Sequence, residues 1–560
     1  DTLTVCGESG QITGNVNLIP SNGTEPYNFF GDSPQNLTAG NYTFFVSDAN
    51  GCQASANLNV RFINCIVPFY QPPFDTTTHI IGTELTQLVL YPNSLADSTS
   101  IRKLFVIRGP DGSPTIEKEV LVDIIPIEGQ YATLLALLLS PEYGLSDVVD
   151  NGPNNGRIVT GFFPIAKLQK LDSLVNLINF ARPSFPPLTN DFASTGIVNQ
   201  GDKALASDVA KLAWKVSGKG IKVGVLSDSY NTRLPFNGPS PEVLDIQRGD
   251  LPGEGNQNYP KPVKNTLEYP YGKASDEGRA MLQIVHDVAP NAELLFRTGF
   301  VSAGNFAKGI KTLRDSGCKV IVDDITYFTE PFFKDGVIAQ AVEDVSSTGV
   351  NYFTSAGNFG TKSYEGIFNP IDVPSKFRGK AHDFGGGDYL QNITFGKGTY
   401  QIALQWDDDF YTRGEGQGAL NDLDIYLAGE SGDTTLLKLN RSNILGDPLE
   451  ILCFNIVAPL TANLVITRRS GSTPNLRFKY VILGGNATIN QFNQGTGTVI
   501  AHANSASAMS VGAVLYTNTP TFGSDTFNVL KFRVASFSSR GGTVINNVDR
   551  QKPDFVGPNG

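Results

Sequence analysis

The rhythm of hydrophobic and polar positions changes several times along the chain. Residues 1–65 alternate with period two in short runs, Gln11–Leu18, Asn41–Ser47 and Ala54–Val60, broken by Gly, Pro, Asn and Asp. That pattern predicts a small antiparallel β-sandwich. Residues 66–98 are Pro-rich and predict no definite element. Over 99–185 the pattern predicts an α+β unit: a strand at Lys118–Pro126, a helix at Tyr131–Leu139, a strand at Arg157–Phe163 and a helix at Ala166–Ile178. In the last of these Leu168, Leu171, Leu174, Val175 and Ile178 recur at helical spacing. Pro183, Pro186 and Pro187 predict an exposed linker over Arg182–Asn199, the sterically easiest place for a processing cut, with 186–199 as the linker proper.

From residue 200 strands alternate with helices. A helix over Ala204–Val216 is followed by the strand Ile221–Leu226, a helix over 275–288, the strand Glu293–Phe296, the helix Asn305–Asp315, the strand Val320–Val322, the helix Gly336–Ser347 and the strand Val350–Thr354. Such a series predicts a parallel sheet with helices on both faces. Over 385–494 the period returns to two, in Tyr400–Trp406, Asp424–Leu427, Leu436–Leu439 and Asn463–Thr467, which predicts a β-sandwich inserted into the α/β domain of 200–384. The α/β text resumes over 495–560, with Ala506–Val514 and Phe532–Arg540. A chain of 560 residues is too long for a single core.

Composition narrows the classes. Lys and Arg number 43 against 54 Asp and Glu, a net charge of -11 with no basic cluster, so the counterion-release term behind nucleic-acid binding is missing. The longest apolar run, Tyr131–Ser140, is too short to span a bilayer, and nothing transmembrane is expected. Asp1–Cys6 has no basic start and no apolar core, so a secretory signal would lie upstream or have been removed. The five cysteines show no zinc spacing; Cys6 and Cys52 are candidates to bridge the ends of the first domain, leaving Cys65, Cys318 and Cys453 unbridged.

Candidate chemistry begins where the buried strand Gly220–Ser229 ends in Asp228, because side chains at the carboxyl ends of such strands line sites. Downstream, in order, come the helix opening Asp276-Glu277-Gly278 and closing Val288-Ala289-Pro290-Asn291-Ala292, the turn Phe353–Gly360 containing Ala356-Gly357-Asn358, the segment Ala535–Gly541 reading Ser-Phe-Ser-Ser-Arg-Gly, and Lys552-Pro553-Asp554. These segments in this order resemble the subtilisin-like serine proteases over roughly 200–384 and 495–560. The resemblance implies peptide hydrolysis, with Asp228 as the acid orienting the base, Glu277 in the place of the base histidine and Asn358 as oxyanion donor. Glu at the base position is sedolisin-like, but the second acid that sedolisins carry four residues later is Met281 here. The match at Asp228 needs one extra residue, Ser227. A free Glu titrates near 4.3, so a working Glu277 would need its pKa raised by burial and by Asp228, and an acid-to-neutral optimum is expected.

Asp324 falls where subtilisins place a substrate-contacting serine, with a solvated loop as the alternative. Asp407, Asp408, Asn421, Asp422 and Asp424 gather hard oxygen ligands that suit calcium, although acidic turns are common on secreted sandwiches. No cofactor is required by this chemistry. Of the four histidines, His79, His286, His382 and His502, none sits where the base is expected. No Gly-Thr-Ser triplet, the family's nucleophile start, occurs in the sequence, so the chain as given is expected not to cleave peptides itself. Pro26-Tyr27, Leu37–Thr43 and Asp48–Cys52 resemble the SprB-type repeats of secreted Bacteroidetes proteins, which implies an extracellular bacterial chain acting on protein or peptide substrates. The rival expectation is a non-catalytic pseudoprotease or adhesin at the cell surface.

Overall fold

The computed structural model describes residues 2–6, 15–63, 65–68, 80–90, 104–109, 118–189, 200–235, 237–414, 416–432, 434–439, 441–522, 533–546 and 548–559. The N-terminal module is one four-stranded sheet among these residues, in the spatial order Thr2–Cys6, Gln53–Ile63, Gly40–Ser47, Asn28–Gly31, and its first pair is parallel rather than antiparallel. Leu37, Phe44 and Val60 make a small core, with Val16 and Leu18 packed on it. The expected Cys6–Cys52 bridge is not formed: Cys52 is free and exposed, and Cys65 is disulfide-bonded. The register explains this, since the Cys6 backbone lies opposite Ile63. Cys52 precedes the start of that 11-residue strand, about 35 Å away at strand rise.

The next unit is a sheet in which Glu119–Pro126 pairs antiparallel with Val159–Pro164 on one side and with Ile107–Arg108 and Ile178–Pro183 on the other. The helices Gly82–Leu90 and Tyr131–Leu138 belong to it. The expected helix at Ala166–Ile178 is instead a 3-10 turn over Ile165–Ser173 followed by the strand Ile178–Pro183. Ile165, Leu168 and Leu171 are the buried residues of that turn, a spacing of three that suits 3.0 residues per turn, while Val175 is exposed. The expected exposed linker is also partly wrong, because Pro183 pairs with Val122 and Phe185 is buried.

The α/β domain is built on a seven-stranded sheet. We number its strands β1 (Lys222–Ser227), β2 (Lys264–Leu267), β3 (Glu293–Thr298), β4 (Val320–Asp323), β5 (Asn351–Ser355), β6 (Met509–Leu515) and β7 (Phe555–Asn559). Their spatial order is β2-β3-β1-β4-β5-β6-β7, and every pairing is parallel. The helices α1 (Glu277–Val288), α2 (Ala303–Asp315) and α3 (Val337–Ser346) cover it. Leu226, Phe306, Ile310 and Val342 fill one core cluster, and Val225, Leu282, Leu294 and Phe296 another. The expected helix Ala204–Val216 is two helices, Gly201–Ala204 and Ser207–Trp214, broken by left-handed Ala206. Of the segment Phe532–Arg540, residues 533–540 are coil with a β-bridge from Val534 to Val514, and residue 532 lies outside the described residues.

Between β5 and β6 the chain makes two further antiparallel sheets whose strands run from Ser363–Ile367 to Ala487–Ile489, so the insertion starts about 20 residues before the expected 385. The earlier start was hidden because the strands Ser363–Ile367, Pro370–Ile371 and Lys380–His382 are short and lack clean alternation. One sheet takes Ile66–Pro68 as its edge strand, paired with Phe454–Ile456.

Candidate active site

Asp228, Glu277, Asp324 and Asn358 lie at or just beyond the carboxyl edge of the seven-stranded sheet, while the five candidate metal ligands lie in the insertion. In register, Leu226 of β1 lies beside Asp323 of β4, and Asp323 beside Thr354 of β5. Ser227, Asp324 and Ser355 therefore form the next row, with β1 and β5 about 10 Å apart at normal strand spacing.

Helix α1 begins beside the end of β1 because Gly278 permits it. A Cβ there would sit 2.3 Å from a Phe296 ring carbon and 2.7 Å from the Ser229 carbonyl oxygen. Asp276 precedes the helix in a left-handed conformation with φ 60. Its buried carboxylate accepts from Ser229 Oγ, the Thr232 N–H and hydroxyl, the Arg233 N–H and Arg279 Nη1. Burial opposes ionisation there, but these donors hold its pKa down at about 2.

Asp228 is 4 % exposed, and its carboxylate serves the start of α1. Oδ2 accepts from the N–H and hydroxyl of Ser275, each at 2.6 Å, and Oδ1 from the N–H groups of Glu277 at 3.1 Å and Ser229 at 2.5 Å. Ser227 donates its hydroxyl to Glu277 Oε2. Ser227 faces the half-buried Glu277 side chain, while Asp228 binds the helix backbone. Ser227 and Ser275 are the residues that sequence reasoning missed. The paired triplets Ser227-Asp228-Ser229 and Ser275-Asp276-Glu277 were the available signal.

Asn358 lies in the turn after β5, half-buried. Gly357 takes φ +90, and the turn is tied to the Ser-Phe-Ser-Ser-Arg-Gly segment. The N–H groups of Phe359 and Gly360 reach Ser539 Oγ and the Phe537 carbonyl, and the Ser539 N–H reaches the Gly357 carbonyl. Two segments 180 residues apart in sequence therefore form one loop cluster. Asp324 is half-buried at the end of β4, and the residues after it, Ile325–Thr326, pair antiparallel with Leu188–Thr189.

The remaining candidates serve the fold. Asp323 accepts from Thr354 Oγ1 and pairs with buried His502 Nε2 at 3.1 Å. His382 sits among Phe368, Phe384 and Phe478, and burial lowers its pKa to about 4. His286 is buried against Tyr259 with its pKa lowered by burial, and His79 lies outside the described residues. Of the five oxygen ligands proposed for calcium, Asp408 and Asn421 touch, with Asn421 Nδ2 donating to the Asp408 carboxylate. Asp407 pairs with Arg477. Asp408 accepts from Trp406 Nε1 and the N–H groups of Leu420 and Asn421, and Asp422 accepts from the Asn443 N–H. Asp424 is fully buried, and burial followed by the Asp422 charge pushes its pKa up to about 8. Among the described residues no three His, Cys, Asp or Glu side chains are placed to hold a metal ion. No helix among them is long and apolar enough to cross a membrane. A cavity of about 660 Å3 lies in the N-terminal module, lined by Tyr27, Phe29, Phe45 and Asn57 among others.

No family model matches the chain, and no curated protein does. Several solved structures are similar to it. The CspB protease of Clostridium perfringens matches at 13% identity and TM-score 0.33, over 64% of this chain and 79% of that one. The epidermin leader peptide processing serine protease (EpiP) of Staphylococcus aureus matches at 14% identity and TM-score 0.25, over 43% of this chain and 61% of that one. AlgX of Pseudomonas aeruginosa matches at 12% identity and TM-score 0.15, over 40% of this chain and 48% of that one.

Proposed function

We propose that the chain is part of a secreted, subtilisin-like serine endopeptidase in which Glu277 is the general base and Asn358 donates to the oxyanion. The observation that carries this reading is the antiparallel pairing of Leu188–Thr189 with Ile325–Thr326, next to Asp324. This pairing sets a short extended strand beside Asp324, which supports the main-chain mode by which a cleft would hold a substrate strand. The upstream unit then acts as a prodomain whose tail occupies the cleft. In the reaction a serine Oγ attacks the scissile carbonyl carbon and its proton passes to Glu277. The C–N bond breaks as Glu277 returns the proton to the amine, and water releases the acyl group by the same route. Asn358 stabilises the oxyanion, a role worth about 3–4 kcal/mol at such positions, a magnitude that the subtilisins themselves supply. None of the serines in residues 1–560 is assigned as that nucleophile, because the sequence holds no Gly-Thr-Ser triplet. The Cys65 disulfide supports an oxidising, extracellular setting.

The exchange of the family's base histidine for Glu277 favours a second reading, a non-catalytic surface binding protein, because a carboxylate stands where an imidazole would take the proton. One experiment separates the two: labelling by a serine-directed fluorophosphonate, across acid to neutral pH, of the protein extended by the coding sequence that follows residue 560. Labelling that falls by about 10²–10⁴-fold in Glu277→Gln supports the peptidase. Absence of labelling at every pH, or a Glu277→Gln variant that labels at the parent rate, ends it and leaves the binding protein.

A further inference from the structure

The inserted sandwich carries a sheet that is largely apolar on both faces, with buried Gln405 and Lys479 in its outward set. Along Gly398–Trp406, Leu449–Ile456 and Arg477–Gly484, one set of alternating residues, including Ile402, Leu404 and Phe478, fills the space between the two sheets of the insertion. The other set, Ala403, Leu449, Ile451, Cys453, Val481 and Leu483, is equally buried, but in a different cluster. That cluster is shared with Val122, Phe163, Leu171, Ala181 and Phe185 of the upstream unit and with Phe328, Phe332 and Phe359 of the α/β domain. A sheet with two apolar faces has to be covered on both, and here the upstream unit is the cover.

Polar contacts fix the same seam. Buried Arg182 pairs with Asp447 of the insertion at 3.3 Å and with Asp123 of its own unit at 3.8 Å. Arg441 donates to the Ala181 carbonyl, Asn179 to the Leu445 carbonyl, and the Glu128 N–H to the Tyr411 hydroxyl. Ile66–Pro68 adds main-chain pairing at the sheet edge. On the α/β side Ser302 Oγ donates to Asn151 Oδ1, and Asn305 Nδ2 to the Asp150 carbonyl.

We infer that the inserted sandwich is a receptor for residues 66–189, and that this segment is a permanent non-covalent subunit that stays bound after the chain is cut between Thr189 and Gln200. A dissociable propeptide would leave behind a polar surface, whereas its departure here would bare the apolar outer face of the sheet. The hold does not depend on disulfides across the seam, since neither Cys318 nor Cys453 is disulfide-bonded.

The test is a full chain carrying a flanked recognition site for a specific protease between Thr189 and Gln200, cut to completion as judged on a denaturing gel. The two pieces should co-elute in gel filtration at nanomolar concentration, with or without reductant, and separate only in denaturant. Arg182→Met, which removes the ionic latch but keeps the apolar bulk, should release the upstream piece at least 10-fold faster. Two separate peaks from the cut parent protein, with the larger piece remaining soluble, would overturn the proposal. Retention is read without any enzymatic activity, so it stands or falls apart from the peptidase assignment.

Discussion

Replacing Asp228 with alanine separates a helix anchor from a catalytic acid. Five donors point at this carboxylate: the N–H and hydroxyl of Ser275, the N–H and hydroxyl of Ser229 and the N–H of Glu277. Losing a capping side chain costs about 1–2 kcal/mol, and a buried donor left without its acceptor adds about 1 kcal/mol or more. Because the contacts share one carboxylate they do not add fully, and about 3 kcal/mol is expected for Asp228→Ala. At roughly 2–4 °C per kcal/mol for a domain of this size, the transition that includes α1 should fall by about 6–12 °C in differential scanning calorimetry. Asp228→Asn, which keeps one acceptor oxygen, should fall about half as far. If Asp228 served chiefly to charge and orient Glu277, Asp228→Asn would leave the melting temperature in place and shift only the pH profile of probe labelling. A drop of less than about 2 °C in Asp228→Ala refutes the anchoring role.

Gly278→Ala should destabilise the same transition by about 2–3 kcal/mol through overpacking against Phe296, and Phe296→Leu in the same chain should recover part of the loss. Asp424 binds its proton more tightly folded than unfolded, with a folded pKa of about 8. Its contribution is full below pH 4 and is lost as pH rises toward 8, so Asp424→Asn should melt progressively higher than the parent protein from pH 5 to pH 8. Equal melting curves at every pH would count against it. His382 has the opposite sign: with a folded pKa of about 4, its contribution holds above pH 6.5 and is lost as pH falls through 4, so His382→Gln should show a shallower acid loss of stability by circular dichroism.

The alternation of strands and helices was legible because each core strand of the parallel sheet is a short apolar run, as in β1 and β3, and because α2 and α3 keep helical spacing. The site was legible by row but not by residue. A search for an acid at the end of β1 found Asp228, whereas the contact of its neighbour Ser227 with Glu277 depends on which way successive side chains point, which the search did not consider. Local pattern was also silent on contacts made at long range. Ile66–Pro68 reads as an unplaced Pro-rich stretch because its partners begin at Phe454. Ile165–Ser173 reads as an α-helix because a spacing of three fits both helix types over two turns. The calcium expectation arose from acidic composition, which is silent on the contacts that Asp407 and Asp408 make with Arg477, Trp406 and the backbone of the Leu420 turn.

The pairing of Ile66–Pro68 with Phe454–Ile456 also sets a schedule for synthesis. About 390 residues separate the two strands, and at ribosomal rates of roughly 5–20 residues per second the earlier one waits some 20–80 s for its partner. Through that interval the face of the upstream unit destined for the insertion has nothing to rest on. The newborn chain is therefore most vulnerable to aggregation in the middle of its translation, and slowing elongation between residues 190 and 450 should lower the soluble yield more than the same delay placed after residue 490.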